Sequence, residues 1–161
     1  MPPRKNHYIQ GKFKPLNPEK YVGNVKNIIY RSSYELAFLR ILDKSPSILK
    51  YSSEELSIKY YNPIKLRWAR YFPDMLIELK GPDGKISRKL IEIKPNNQID
   101  KPRQTKGKKM QTYLNEVMEF SVNQAKWKAA KEWCKEKGIE FVVITKNSEK
   151  FVMLTEEQLG L

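Results

Sequence analysis

The sequence predicts an α/β fold in which a mixed β-sheet is flanked by helices. Three observations carry that expectation: a helix-spaced apolar stretch at residues 36–42, a succession of strand-like runs between 48 and 94, and a second helical stretch leading into an apolar run at 141–145. The order helix, several strands, helix, strand lacks the regular βαβ alternation of a doubly wound fold. Parallel and antiparallel pairs are therefore both expected in the sheet.

Residues 1–27 read as a basic N-terminal arm and residues 28–161 as the folded domain. The arm carries Arg4, Lys5, Lys12, Lys14, Lys20 and Lys26 against the single acid Glu19, and Pro2, Pro3, Pro15 and Pro18 break any helix there. It is either a solvated tail or an arm that contacts nucleic acid or a protein partner. A helix begins after Ser32 or Ser33, with Ser33 as N-cap and Leu36, Leu39, Ile41 and Leu42 at helical spacing. Pro46 lies beyond its end. Ile48 to Tyr51 and Leu56 to Tyr60 read as short strands, and Asn62-Pro63 turns the chain. Ile64, Leu66 and Trp68 alternate with Lys65, Arg67 and Ala69, the pattern of a half-buried strand. A further strand begins in the run Tyr71 to Leu79, Gly81-Pro82-Asp83-Gly84 turns it, and Lys89 to Lys94 returns. Residues 95–109 are polar and basic and read as a loop. Residues 110–120 read as a short helix. Ser121-Val122-Asn123-Gln124 resembles a capping box opening a second helix, with Trp127, Ala130 and Cys134 on one face and Gly138 as its stop. Phe141 to Thr145 is an apolar strand.

Composition narrows the function. A chain of 161 residues buries a core without help from disulfides or a structural metal. The single cysteine, Cys134, excludes an intramolecular disulfide framework and a multi-cysteine zinc site. The single histidine, His7, speaks against a histidine-rich metal cluster and against a Ser-His-Asp triad. No apolar run approaches the roughly 18–20 residues of a membrane span. The start, MPPRKNHYIQ, has no apolar core of a secretory leader, so the protein is expected to be neither secreted nor membrane-bound. The formal net charge of +13 suits an anionic partner such as DNA.

The chemistry concentrates on one hairpin. Pro82-Asp83-Gly84 suits a three-residue loop, a type I turn followed by a residue of positive φ at Gly84. That loop pairs Gly81 with Lys85, which places Asp74 opposite Glu92 and Glu78 opposite Arg88. Lys94, two residues on, points to the same face as Glu92. Met75, Ile77, Ile91 and Ile93 fill the other face. A two-residue Asp-Gly turn would shift the register by one and send the two acids to opposite faces. Adjacent carboxylates repel unless a cation sits between them. Oxygen ligands favour Mg²⁺ or Mn²⁺, which activates water and neutralises charge on a phosphate.

Pro73-Asp74 followed by Glu92-Ile93-Lys94 resembles the signature of the PD-(D/E)xK nuclease superfamily. Glu35, in Arg31-Ser32-Ser33-Tyr34-Glu35, matches the first-helix glutamate of that superfamily. Five segments extend the resemblance over most of the chain, to the head-completion nucleases of contractile-tailed bacteriophages. They are Tyr30-Arg31-Ser32, Ser52-Ser53-Glu54-Glu55, Arg70-Tyr71-Phe72-Pro73-Asp74, Glu92-Ile93-Lys94-Pro95 and Asn123-Gln124-Ala125-Lys126-Trp127. The resemblance implies a restriction-endonuclease-like core and metal-dependent endonucleolytic hydrolysis of DNA, trimming packaged DNA ends during head completion. Asp74 and Glu92 would bind Mg²⁺ (or Mn²⁺), with the Ile93 carbonyl as an extra ligand. Glu35 would complete the metal shell directly or through water, and Lys94 would position the water nucleophile. The implied partners are DNA and phage head, portal or neck proteins. The implied location is the host cytoplasm during assembly, and the virion.

The superfamily often carries a polar DNA-contacting residue on the second helix. Asn123, Gln124 and Lys126 are the candidates here. The common Gln-x-x-x-Tyr pattern is not met, because Lys128 stands four residues after Gln124. Lys101, Arg103, Lys106, Lys108 and Lys109 of the basic loop are further DNA-binding candidates. Trp68, Trp127 and Trp133 read as packing residues, Cys134 as a small buried apolar group, and Glu54-Glu55 as a surface pair. Two other roles stay open: a DNA-binding or neck-joining protein without catalysis, and a transposase-subunit or junction-resolving endonuclease.

Overall fold

The computed structural model describes residues 10–94, 99–147, 150–155 and 159. Arg4, Lys5 and His7 of the expected arm, and residues 95–98 of the expected loop, lie outside the described residues. The elements in chain order are β1 (Gly11–Lys12), β2 (Ile29–Tyr30), α1 (Ser33–Lys44), β3 (Ile48–Ser53), β4 (Ile58–Asn62), β5 (Arg67–Tyr71), β6 (Met75–Lys80), β7 (Ile86–Ile93), α2 (Met110–Lys137), β8 (Glu140–Asn147) and β9 (Lys150–Met153).

A five-stranded sheet of order β3-β6-β7-β8-β9 forms the centre. The β7–β8 pair is parallel and the other pairs are antiparallel, so the sheet is mixed as expected. Parallel neighbours need a long crossover, and the segment containing α2 supplies it. The helix α1 covers one face. Leu39 and Leu42 pack there with Tyr51, Met75, Ile77, Ile91, Ile93, Val142 and Ile144. The other face carries α2 and the separate β4–β5 ribbon, where Leu90, Ala130 and Cys134 meet Ile58, Tyr60 and Tyr71. Strand alternation explains the split: 91 and 93 point one way, 90 and 92 the other.

The hairpin register is the one required by the three-residue loop. Met75 faces Ile91 and Glu78 faces Arg88, while Gly81 N–H donates to Lys85 O at 2.9 Å. Gly84 takes φ +79°, the conformation that closes this turn and that glycine adopts without a Cβ penalty. The two-residue alternative is excluded.

Four local expectations change. Ser32, rather than Ser33, caps α1: its Oγ accepts from Glu35 N at 3.1 Å, and Glu35 Oε2 accepts in return from Arg31 N at 3.0 Å. No second helix opens at Ser121. The two expected helices are one, Met110–Lys137, about 42 Å long at 1.5 Å per residue. No Pro or Gly interrupts this stretch, and the Ser121 hydroxyl donates to Val117 O at 2.9 Å inside the helix instead of capping. The strand expected from Ile64 starts only at Arg67. Residues 63–66 form the turn of the ribbon, with Leu66 at φ +52°. Trp68 is not a packing residue: it is 62% exposed, because its face of the ribbon meets no other layer among the described residues.

Residues 10–27 are not a solvated tail. Phe13 and Tyr21 enter the α1-side core. Lys20 Nζ donates to the carbonyls of Leu42, Asp43 and Ser45 at 2.7, 2.9 and 2.8 Å, closing the C-terminus of α1 where its dipole favours a cation. The buried Asp43 carboxylate accepts from Leu16 N (2.9 Å), Asn17 N (3.2 Å) and Tyr51 OH (3.1 Å). Asp43→Ala strands all three donors and is expected to cost about 3 kcal/mol. Urea unfolding checks this, the midpoint falling while the slope stays unchanged.

Candidate active site

Asp74 stands at the entrance to β6, in the middle of the sheet, and two neighbouring strands bring acids to it. On the β7 side the hairpin register delivers Glu92. On the β3 side the ladder Tyr51↔Ile77, Ser52↔Leu76, Ser53↔Met75 runs on to Glu54, whose N–H donates to Asp74 O at 3.0 Å. Glu54 takes φ +54°, unusual for a residue with a side chain, as the chain turns out of the strand. The capped first turn of α1 holds Glu35 above this point.

Carboxylate oxygens of Glu35, Glu54 and Asp74 lie within 4.8 Å of one another. Glu54 was expected to be a surface residue, and it belongs to this cluster instead. Its strand position carries the missing signal: once β3 is aligned on β6, Glu54 falls beside Asp74. Its exposed neighbour Glu55 is turned away and accepts from Tyr21 OH at 3.1 Å. Arg31, also not foreseen, forms an ion pair and hydrogen bond with Glu54.

Glu92 is 5% exposed, and both its oxygens have partners. Lys94 Nζ is 3.5 Å from Oε1, and the buried Tyr71 hydroxyl donates to Oε2. Tyr71 is a further residue that the sequence reading missed. Ile93 N–H donates to Asp74 Oδ2 at 2.7 Å and so sets the rotation of that carboxylate. The Ile93 side chain sits in the α1-side core, so only its main chain faces the acids.

The electrostatics follow from burial and crowding. Desolvation, then the Glu92 charge, push the Asp74 carboxyl well above the usual range; the Ile93 N–H and Lys94 oppose them. Burial raises Glu35, and the charges of Glu54 and Glu92 add to it. Burial raises Glu92 as well, against the pull of Lys94, Tyr71 and Lys126. Lys126 is lowered by burial and by the nearby Lys94. Its ammonium lies 5.8 and 5.7 Å from the Tyr60 and Tyr71 rings. The result is a cluster of three acids, Glu35, Glu54 and Asp74, with the partnered Glu92 beside it and too little positive charge to neutralise the group. All its donors are carboxylate oxygens, which suits a hard divalent cation.

The remaining candidates divide. Lys126 joins Lys94 and Glu92 at the site. Asn123 is buried in α2 and lines a cavity of about 470 Å³ with Lys101, Arg103, Lys108, Glu116, Glu119 and Phe120 among others. Gln124 is turned to the C-terminal segment, donating to Leu159 O at 2.6 Å. Lys108 is held by Glu116 Oε2 (2.9 Å) and Arg103 O (2.8 Å). Lys101, Arg103, Lys106 and Lys109 are exposed along the segment before α2. Trp127 is fully buried, in a cluster with Ile99, Val143 and Leu159.

Comparison with known proteins gives two matches. Residues 45–146 match the family described as TnsA-like endonuclease N terminal. The chain is 36% identical over 140 residues to the head completion nuclease of Enterobacteria phage T4, covering 85% of this chain and 91% of that protein. No solved structure matches.

Proposed function

The chain belongs to the TnsA-like endonuclease family, of the PD-(D/E)xK type, and from that premise we propose that it is a nuclease acting on DNA in phage head completion. The observation that carries the reading is the convergence of Glu35, Glu54 and Asp74 from three elements, with Glu92 and Lys94 beside them.

Mg²⁺ or Mn²⁺ is the cofactor that this donor set suits. Asp74, Glu92 and Glu35 are the ligands that the resemblance implies; Glu54 is the one that the geometry adds, and the Ile93 carbonyl remains a candidate. When bound, the ion supplies a water of lowered pKa and neutralises charge developing on the phosphate. The chain's own groups do the rest. Ile93 N–H orients Asp74. Tyr71 and Lys94 hold Glu92 in place. Lys94 orients the attacking water, and Lys126 provides a second ammonium for the scissile phosphate. The +13 charge steers the polyanion to the site.

The substrate in this reading is packaged DNA, trimmed at its end, with the phage head, portal or neck as the protein partner and the host cytoplasm as the place of action during assembly. Among the described residues no helix is long and apolar enough to cross a membrane. The test is a cleavage assay on supercoiled plasmid, linear duplex and branched DNA, with Mg²⁺, Mn²⁺ or EDTA. Cutting is expected with either metal and none with EDTA. If well-folded protein cuts nothing under any of these conditions, a binding or assembly role replaces this one. A strong preference for branched substrate favours junction resolution over end trimming.

A further inference from the structure

The β4–β5 ribbon stands apart from the central sheet, and its outer face is covered by nothing among the described residues. Residues 57–72 contain Lys59, Lys65, Arg67 and Arg70 and no acid. None of the four pairs with a carboxylate among the described residues. Lys59 and Arg70 face each other across the ladder, as do Tyr61 and Trp68. Lys59 Nζ lies 5.0 Å from the Trp68 ring, which meets Tyr61 edge-on at 5.5 Å. Trp68 is 62% and Leu66 70% exposed, large apolar side chains left in water on a basic ribbon. The opposite face is rooted in the acidic site: Tyr71 binds Glu92, and Lys126 lies over Tyr60 and Tyr71.

We propose that this ribbon is the element that docks duplex DNA beside the carboxylate cluster. In this arrangement Lys59 and Arg70 on the outer face, with Lys65 and Arg67 at the exposed tip, meet phosphates while Trp68, Tyr61 and Leu66 pack into the groove. Five residue pairs give a ribbon about 17 Å long, and the major groove, about 12 Å wide, admits a two-stranded β-ribbon. An apolar patch alone would suit a protein partner equally well. Four cations without a carboxylate partner among the described residues, two of them on the strand that leads through Phe72 to Asp74, favour a polyanion. The identity of that polyanion as DNA rests on the nuclease reading above.

Binding is measured by fluorescence anisotropy on a linear duplex in the Lys94→Ala background without divalent metal, so that the readout does not depend on cutting. Lys65→Ser/Arg67→Ser is expected to weaken binding roughly 50-fold at 0.1 M salt and to lower the salt slope by about 2, one for each lost phosphate contact. Trp68→Ala is expected to weaken binding with the slope unchanged. All three side chains are exposed, so melting temperatures should hold. In otherwise wild-type protein the variants should raise KM and leave kcat within about twofold. Unchanged affinity and slope overturn the proposal and leave the ribbon to a protein partner, as does lost cutting with undiminished binding. If wild type cuts no DNA while the ribbon variants still lose affinity, the docking role stands and the nuclease reading falls.

Discussion

Lys94→Ala is expected to lower DNA cleavage about 10³-fold while leaving the fold and most DNA affinity in place. The ammonium lies 3.5 Å from Glu92 Oε1 on an 80%-covered side chain, so it is held rather than sampled. In the proposed mechanism its loss removes the group that orients water, one that matters in the transition state more than in substrate binding. The effect should therefore fall on kcat, with KM changed little. A second readout separates a chemical role from a packing role. Lys126 is held below its ordinary value in part by the charge of Lys94. In Lys94→Ala the Lys126 ammonium should titrate at higher pH, as followed by NMR of the side-chain resonances. Cleavage close to wild type would remove Lys94 from the chemistry.

Asp74→Asn is expected to abolish metal-dependent cleavage and yet raise the melting temperature of the metal-free protein at pH 8, by about 3 °C, the equivalent of about 1 kcal/mol in a chain of this size. The cause is the crowding of Glu35, Glu54 and Glu92 about the buried Asp74, which Arg31 on Glu54 and Lys94 on Glu92 offset only in part. Asp74, Glu35 and Glu92 are all raised in the folded protein, so the folded state holds protons that the unfolded state has released. Stability must then fall as pH rises from the unfolded carboxylate values, near 4, through the raised folded ones, and remain low above them. The advantage of Asp74→Asn should accordingly appear at pH 8 and vanish near pH 4. Its amide oxygen can still accept from Ile93 N–H, so little else is lost.

Metal acts in the opposite sense. Added Mg²⁺ or Mn²⁺ at 100 times its dissociation constant is expected to stabilise wild type by about 2.7 kcal/mol, and this response should disappear in Asp74→Asn. It should weaken in Glu54→Gln, the variant that tests the ligand the sequence reading did not include. A Glu54→Gln protein with an undiminished metal response would return Glu54 to the role of a partner for Arg31. Scanning calorimetry at both pH values, with and without metal, reads all of these outcomes.

The Asp74–Glu92 relation was legible because every link in it is local. Gly84 can close only certain turns, the turn sets the pairing of Gly81 with Lys85, and the pleat carries that register down the strands to the acids. The α1 cap was legible to within one residue for the same reason. Trp127, Ala130 and Cys134 were legible as a buried face because helical spacing and apolarity agree there. Where local signals misled, a competing local preference was overruled by continuity or packing. Ser121 has the chemistry of a cap, but an unbroken run of helix-tolerant residues on both sides lets it bond inward. Trp68 has the chemistry of a core residue, but the ribbon that carries it turns that face outward.

By itself, then, the sequence determined the α1 helix, the order of the main strands, the hairpin register, the basic character of the chain and the placing of Asp74, Glu92 and Lys94 on one hairpin, because these depend on residue type and on spacings of a few positions. Only the tertiary structure decided that Glu54 joins Glu35 and Asp74, that Tyr71 and Lys126 bracket Glu92, and that the ribbon's basic, aromatic face is left open among the described residues. Those contacts join residues separated by about twenty or more positions. They depend on how β3 lies against β6, how α1 crosses one face of the sheet, and how α2 and the ribbon cover the other. No local spacing encodes these placements, because they are set by the collective burial of two cores on opposite faces of one sheet.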